Sequence, residues 1–139
     1  MKKLIFDGDG AVVGRIGSVA VRELLKGNSV FILNCDKAVV SGSRKIIVGR
    51  VEQLRTMGRG GSMKGPNFSK NPEKLIKRMI RGMLPWNRPR GRAAYKRLKC
   101  FVSGENSGIS DEEIKNAKRF KSTNFKKSMT IKQISGALN

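Results

Sequence analysis

Basic side chains recur at helical spacing in one stretch of the chain. Four of them stand at i, i+3, i+4 and i+7, namely Lys74, Lys77, Arg78 and Arg81. A helix would place all four on one face, where like charges repel one another unless an anion neutralises them. Glu73 is the only acid between Lys70 and Lys99. The pattern therefore predicts a binding face for an anion supplied from outside the chain.

Arginines crowd into the segment that follows, residues 86–92. Arg88, Arg90 and Arg92 alternate there with proline and glycine, and Pro85 before them should end the preceding helix. Planar guanidinium groups on exposed backbone suit phosphate oxygens better than a flat protein surface. A merely solvated face is the usual alternative for a charge run, but the missing acids favour nucleic acid. We predict a loop that contacts RNA.

Trp86, at the start of this segment, allows two interpretations. An exposed tryptophan can stack on an unpaired base. A lone tryptophan more often packs against its neighbours, and packing is the favoured interpretation.

The residue types that most enzyme sites need are missing. The chain has no histidine and only two cysteines, Cys35 and Cys100, so it can assemble neither a Cys/His zinc site nor a histidine-based catalytic group. The two thiols could form a disulfide, but cysteines beside strand-like runs, in a chain without an export signal, are more often buried and free. We expect no catalysis, no metal and no cofactor.

The overall charge points to the same class of partner. The 139 residues carry a formal charge of +20 and are 38% hydrophobic, which suits one globular domain neutralised by a polyanion. A membrane surface is the weaker candidate, since the basic stretches lack an apolar interfacial face. The N-terminal apolar run is too short for a signal peptide, and no run reaches membrane-spanning length. We therefore expect the protein to stay inside the cell.

Caps and periodicity predict the helix that positions the cations. Asn71, Pro72 and Glu73 are typical of a helix start. Apolar residues recur on the face opposite the cations, namely Leu75, Ile76, Met79, Ile80 and Met83. The helix should therefore run to about residue 83 and bury one face on a core.

The N-terminal part of the chain predicts a βαβ unit. Leu4–Phe6 should form a buried strand, residues 13–24 a helix that ends at Gly27, and Val30–Leu33 a second, parallel strand.

The glycines after the first strand imitate a dinucleotide-binding turn. Val13, however, stands where the third glycine of G-x-G-x-x-G belongs. A tight turn is the favoured interpretation, and Arg15 near the helix start could meet an RNA phosphate.

Residues 39–71 are less regular. Val39 and Val40 predict a short strand, and Ser43 can cap a helix that continues to about Leu54, although Ile46–Val48 could instead form a strand. Residues 57–71 should form a flexible loop that orders on a partner or simply connects two helices. The cations of this loop are Arg59, Lys64 and Lys70.

Residues 94–98 should form a short helix carrying Lys96 and Arg97, and residues 100–102 a closing strand. We divide the chain into an α/β core over residues 1–104, which includes the basic segment 72–99, and a helical extension over residues 105–139 that packs on it. Two capping boxes predict the helices of that extension, Ser110 with Glu113 and Thr130 with Gln133.

Several of these stretches together resemble the universal L-thirteen family of large-subunit ribosomal proteins, in its archaeal and eukaryotic branch. The matching stretches are Gly14–Ile16, Asn34–Lys37, Val40–Gly42, Arg81–Pro85, Arg90–Ala93, Arg97–Lys99 and the ending Thr130–Leu138. The resemblance covers nearly the whole chain. It departs from the family at Asn67–Lys70, where relatives of this branch usually carry a histidine and an arginine before the proline.

The resemblance implies a three-layer α/β/α fold around a four-stranded, mainly parallel sheet, with basic loops and a C-terminal helical extension. It implies a structural role in the large ribosomal subunit, in the cytoplasm, with binding to large-subunit rRNA early in assembly and contacts to neighbouring ribosomal proteins. It implies no enzyme activity, membrane partner or small-molecule substrate. Together with the charge pattern it gives these candidate rRNA contacts: Arg15, Arg44, Arg59, Lys64, Lys70, Lys74, Lys77, Arg78, Arg81, Arg88, Arg90, Arg92, Lys96 and Arg97.

Two other functions stay open on the residues alone. The first βα turn could belong to a nucleotide-dependent RNA-modifying enzyme or oxidoreductase. The same basic surface could also serve an RNA-binding regulator that acts outside the ribosome.

Overall fold

The computed structural model describes residues 1–58, 61, 64–120 and 125–138. Its strands are β1 (Lys3–Asp7), β2 (Ser29–Leu33), β3 (Val39–Ser41), β4 (Leu98–Cys100), β5 (Lys118–Arg119) and β6 (Ser128–Thr130). Its helices are α1 (Val13–Leu25), α2 (Arg44–Thr56), α3 (Pro72–Arg81), α4 (Pro89–Lys96), α5 (Asp111–Lys115) and α6 (Ile131–Ala137). Single turns of 3-10 helix occupy Cys35–Lys37 and Glu105–Ser107.

A four-stranded parallel sheet lies at the centre, in the strand order β4-β2-β1-β5. The register places Ile5 beside Phe31 and Phe31 beside Lys99, while β5 pairs with the other side of β1 through Phe6 and Lys118. β3 and β6 form a separate antiparallel pair. This topology confirms the predicted α/β class with a four-stranded, mainly parallel sheet.

The two faces of the sheet are covered unequally. One face contributes buried side chains to the main core, namely Phe6, Val30, Ile32, Leu98 and Cys100. Helices α1 and α3 supply much of the rest of that core, with Ile16, Ala20, Leu24, Leu75, Ile76 and Ile80. On the other face Phe31 is only half-buried, and the Lys3 and Lys99 ammonium groups lie 5.2 and 5.5 Å from the centre of its ring. The main core therefore lies between the sheet and the helices that carry the cations.

The turn after β1 is closed by hydrogen bonds within the chain. The Gly8 N–H donates to the Leu33 carbonyl at 2.8 Å, and the Gly10 N–H donates to the Lys37 carbonyl at 3.3 Å. A Cβ at Gly8 would lie 2.7 Å from the same Leu33 oxygen. Because these amides already have partners, they are not free to hold a pyrophosphate. The geometry favours the tight turn over the dinucleotide site.

Helix α1 ends in a Schellman motif, as its glycine predicts. Gly27 has φ +98°, a left-handed conformation that glycine adopts without strain. The Asn28 N–H donates to the Glu23 carbonyl at 3.2 Å, and the Gly27 N–H donates to the Leu24 carbonyl at 3.1 Å. These two bonds satisfy carbonyls that the helix itself leaves unpaired.

The predicted arginine loop is wrong for its second half, because Pro89–Arg92 form the first turn of α4 rather than a loop. Pro89 occupies the first helical position, where its fixed φ suits a helix and its missing N–H costs nothing. The alternation of arginine with proline and glycine resembles the composition of a loop. The segment is instead the start of a helix, in which Gly91 is needed for packing.

Strand β4 begins two residues before the predicted strand at 100–102. Phe101 still continues the ladder, since its N–H donates to the Ile32 carbonyl at 2.9 Å. The Val102 N–H leaves the sheet and donates to Glu73 Oε1 of α3 at 2.9 Å.

Residues 46–48 are helical, so the helix prediction for α2 is confirmed over the strand alternative. Ser43 stands at its N-cap position, although its side chain makes no capping bond there. In α6 the predicted capping box is present: the Gln133 N–H donates to Thr130 Oγ1 at 3.2 Å, and the Thr130 N–H donates to Gln133 Oε1 at 3.1 Å.

Helix α6 packs on α3. Ile131 and Ile134 are fully buried in the main core, and Ser135 Oγ donates to the Lys70 carbonyl at 2.6 Å. Across the described ranges, none of the helices combines the length and the apolar content needed to cross a bilayer.

Candidate nucleic-acid interface

Helix α3 begins at the position that its capping residues predict, and its one acid, Glu73, makes a hydrogen bond within the protein. Asn71 Oδ1 accepts the Glu73 N–H at 3.0 Å, and Pro72 fills the first helical position. The Glu73 carboxylate accepts a hydrogen bond from the Val102 N–H at 2.9 Å. The only acid of this stretch therefore ties α3 to the end of β4. It does not neutralise the four cations of the helix, which still require an anion from outside the chain.

Aromatic rings hold three of these cations in place. The Arg81 guanidinium lies 3.8 Å from the centre of the Trp86 ring, the Lys77 ammonium lies 5.0 Å from Tyr95, and the Arg78 guanidinium lies 4.9 Å from Phe68. Each such contact stabilises an exposed site by about 0.5–1 kcal/mol. The cations are therefore pre-oriented rather than freely rotating, which lowers the entropy lost when they bind a phosphate.

Trp86 packs within the protein, as the favoured interpretation of this residue predicts. Its ring meets the Tyr95 ring edge-to-face, with 5.3 Å between centres and 87° between planes. It is half-buried. Because the Trp86 ring also contacts the Arg81 guanidinium, it links the end of α3 to α4.

Helix α4 approaches the preceding turn closely at Gly91. A Cβ there would lie 2.1 Å from the Pro85 carbonyl oxygen, so a larger side chain would force the backbone apart. Gly91 is buried, while Arg88 and Arg92 on either side of it are exposed.

Two predicted contact arginines also form hydrogen bonds with the protein, namely Arg90, which is exposed, and Arg97, which is half-buried. Arg90 donates to the Leu25 carbonyl at 2.8 Å, and Arg97 donates to the Leu24 carbonyl at 2.7 Å. These are the carbonyls at the C-terminal end of α1, where cations are favoured by the helix dipole. Arg90 and Arg97 therefore fasten α4 to α1, a role that sequence spacing alone did not reveal.

The other candidates fall into two groups. The first group lies on α3, on α4 with its N-cap residue, and in residues 64–70. We call these cations the basic face: Lys64, Lys70, Lys74, Lys77, Arg78, Arg81, Arg88, Arg92 and Lys96. Arg15 and Arg44 are exposed in the first turns of α1 and α2. Arg59 lies outside the described residues.

Two adjoining recesses open on the basic face. The aromatic recess, about 400 Å³, is lined by Gly65, Asn67, Arg78, Arg81, Trp86 and Tyr95. The lysine recess, about 210 Å³, is lined by Asn67, Ser69, Lys74, Lys77, Arg78 and Tyr95. Asn67, Ser69 and Tyr95 were not among the predicted contacts. The spacing of the cations carries no signal for them, because these residues meet only after residues 64–69 fold back on α3 and α4.

Other recesses of the described chain carry carboxylates. One of about 770 Å³ lies between α2 and residues 66–68 and includes Glu52, and one of about 240 Å³ beside β4 includes Glu73. A polyanion is better matched by the recesses on the basic face, whose linings hold cations without an acid.

Both cysteines are buried and free, as predicted. A hydrogen bond between the two thiols, and then burial, raise the pKa of Cys35 far above its ordinary value. A buried, protonated thiol is a poor nucleophile at neutral pH. Within the described part of the chain, no three Cys, Asp or Glu side chains come together as a metal site.

Comparisons with known proteins agree with the family resemblance. The family model described as Ribosomal protein L13 matches residues 1–107. The protein named Large ribosomal subunit protein uL13 from Archaeoglobus fulgidus is 36% identical over 133 residues, which are 94% of this chain and 84% of that protein. Proteins of the same name from Methanosarcina barkeri and Methanosphaera stadtmanae are 41% and 32% identical, over 78% and 96% of this chain and 76% and 95% of their own lengths. The chain therefore belongs to the L13 family of ribosomal proteins, in its archaeal type, and not to a family of enzymes.

Proposed function

We propose that this protein is a structural component of the large ribosomal subunit that binds large-subunit rRNA through the basic face. The observation that carries the proposal is the set of cations on α3 that contact aromatic rings. Glu73, the only acid between Lys70 and Lys99 in the sequence, accepts the Val102 N–H. The names of the relatives, Large ribosomal subunit protein uL13, support the same assignment. The partners are then rRNA and neighbouring ribosomal proteins in the cytoplasm, and binding takes place early in assembly.

The mechanism is multidentate neutralisation. Lysine and arginine side chains of the basic face displace counterions from rRNA phosphates, and the recesses and helix ends fit the folded shape of the RNA rather than a linear sequence. Arg90 and Arg97 contribute by holding α4 against α1, so that Arg88 and Arg92 project from a fixed helix. Arg15 and Arg44 extend the contact beyond the basic face.

Sedimentation of a native lysate through sucrose gradients at moderate and high salt tests the proposal. We expect the chain to migrate with the large subunit and to remain there through the salt wash. An RNA-binding regulator that acts outside the ribosome would stay at the top of the gradient at both salts, and that result would contradict the proposed function.

A further inference from the structure

We propose that the two adjoining recesses form a binding site for one unpaired RNA nucleotide, with its base in the aromatic recess and its phosphate in the lysine recess. This inference rests on the proposed rRNA binding and adds to it a defined site and a preference for unpaired over paired RNA.

The aromatic recess has the size and the planar groups that a base requires. Its volume of about 400 Å³ is in the range of small-ligand pockets, roughly 300–1,000 Å³. The Trp86 and Tyr95 rings and the Arg81 guanidinium line it, and splayed-out bases stack on these types of group. Asn67 supplies an exposed amide with two donors and an acceptor, which can pair with the edge of a base.

The lysine recess has the groups that a phosphate requires. Lys74 and Lys77 lie three residues apart on α3 and reach into it together with Ser69. Asn67, Arg78 and Tyr95 line both recesses, so a nucleotide that spans them would keep its base and phosphate within reach of the same three side chains. Neither lining contains a carboxylate that would repel the phosphate.

The site is assembled before RNA arrives. The Phe68 ring holds the Arg78 guanidinium, and Ser69 Oγ accepts the Asn71 N–H at 3.2 Å, which anchors residues 67–69 to the start of α3. Asn67 and Ser69 therefore present an amide and a hydroxyl to the recesses.

A paired nucleotide cannot enter such a recess, because its base is stacked and its edge is engaged by its partner. Bulged and loop nucleotides are free to be splayed out. The site therefore predicts discrimination between RNAs of equal charge, which counterion release alone does not provide.

Fluorescence of Trp86, the only tryptophan of the chain, measures occupancy of the aromatic recess directly. The full chain is titrated with two RNA hairpins of equal length, one fully paired and one carrying a single bulged nucleotide. We expect the bulged hairpin to bind at least roughly fivefold more tightly, from one added stacking contact, and to change the Trp86 emission. The paired hairpin should bind by charge and leave the emission unchanged.

Asn67→Ala separates base recognition from charge, because it removes the amide and no cation. We expect it to weaken binding of the bulged hairpin about three- to tenfold, and to change neither binding of the paired hairpin nor the salt dependence. Asn116→Ala, at an exposed position at the end of α5, is the matched control and should bind both hairpins as the unmodified protein does.

Equal affinity for the two hairpins, with Trp86 emission unchanged in both, would overturn the nucleotide site and leave rRNA binding intact. Loss of the discrimination in Asn116→Ala as well would also count against the site. If the chain bound neither hairpin at low salt, the proposed function itself would fail together with this inference.

Discussion

At the scale of single residues, the arginines of this protein differ in role: some are exposed to solvent, and others form hydrogen bonds that hold the fold together. Arg92 is exposed on α4, whereas Arg97 is half-buried and donates to the Leu24 carbonyl at 2.7 Å. A guanidinium bond to a carbonyl at a helix end is charge-assisted, and it places a positive charge at the negative end of the helix dipole. The two arginines should therefore respond differently to the same substitution.

We expect Arg97→Ala to lower the free energy of unfolding by about 1.5–3 kcal/mol, since the variant lacks a hydrogen bond that a charged group donates. Arg92→Ala is the control and should stay within about 0.5 kcal/mol of the unmodified protein. Urea denaturation followed by circular dichroism measures both values. Equal stabilities of the two variants would show that the Arg97 hydrogen bond does not stabilise the fold.

Glycines also differ in what they do. We expect Gly91→Ala to destabilise the protein by about 1–3 kcal/mol or more, because its Cβ would lie 2.1 Å from the Pro85 carbonyl oxygen. Gly49→Ala, in the middle of α2 where a Cβ meets nothing within 4 Å, should stabilise it by about 0.5–1 kcal/mol through helix propensity. Thermal unfolding compares the pair, and a stable Gly91→Ala variant would contradict the close approach of α4 to the turn before it.

At the scale of the elements, α3 and α4 form one unit that presents the basic face. The buried side of α3 contributes Leu75, Ile76 and Ile80 to the core. Its outer side contacts α4 through Lys77 and Tyr95, and it contacts the turn before α4 through Arg81 and Trp86. Fixing one helix on the core therefore fixes the arginines of the other.

The exposed arginines of α4 should contribute to RNA binding without contributing to stability. We expect the double substitution Arg88→Ala and Arg92→Ala to weaken binding to rRNA fragments. The slope of log affinity against log salt should become shallower by about 0.9 for each phosphate that the variant no longer neutralises. The thermal transition should not move. Filter binding at several salt concentrations measures the slope.

Adding Arg90→Ala to that pair should lower the temperature of the thermal transition, because Arg90 donates to the Leu25 carbonyl at 2.8 Å.

The control for general electrostatics in the RNA-binding experiment is a double substitution on exposed lysines away from α4, Lys115→Ala with Lys132→Ala, which removes the same charge as the arginine pair. If that control reduced binding as much as the arginine pair, the basic face would not be the main RNA-binding surface.

At the scale of the whole molecule, the core protects its two thiols. The hydrogen bond between the two thiols, and then burial, keep the pKa of Cys35 raised above its ordinary value of 9.0. In the unfolded chain the thiol ionises as pH rises past that value, whereas in the folded protein it stays protonated. The contribution of Cys35 to stability is therefore complete below about pH 9 and falls as pH rises above it.

We expect both thiols to be unreactive toward a disulfide reagent at pH 8 in the folded protein and to react fully once urea unfolds it. Thiol titration with and without urea measures this, and circular dichroism of the same samples shows which of them are folded. Rapid reaction of either thiol in the native protein would contradict the buried, hydrogen-bonded pair.

The sequence by itself determined the class of fold and the positions of most helices, and its charge favours a polyanionic partner. Apolar runs, caps such as Asn71 and Thr130, and the glycine after α1 act locally, so they can be recognised without knowledge of the fold. The excess of cations over acids is a property of composition and needs no coordinates.

The tertiary structure alone decided which arginines bond to α1 and which groups share a recess. Arg90 and Arg97 meet the end of α1 across 65 and 73 residues of chain, and Asn67 shares a recess with Tyr95 only because α3 and α4 both pack on α1 and β4. Contacts between distant residues leave no periodic pattern in the sequence. The arginines that bond to α1 could therefore not be distinguished from the others until the helices were placed.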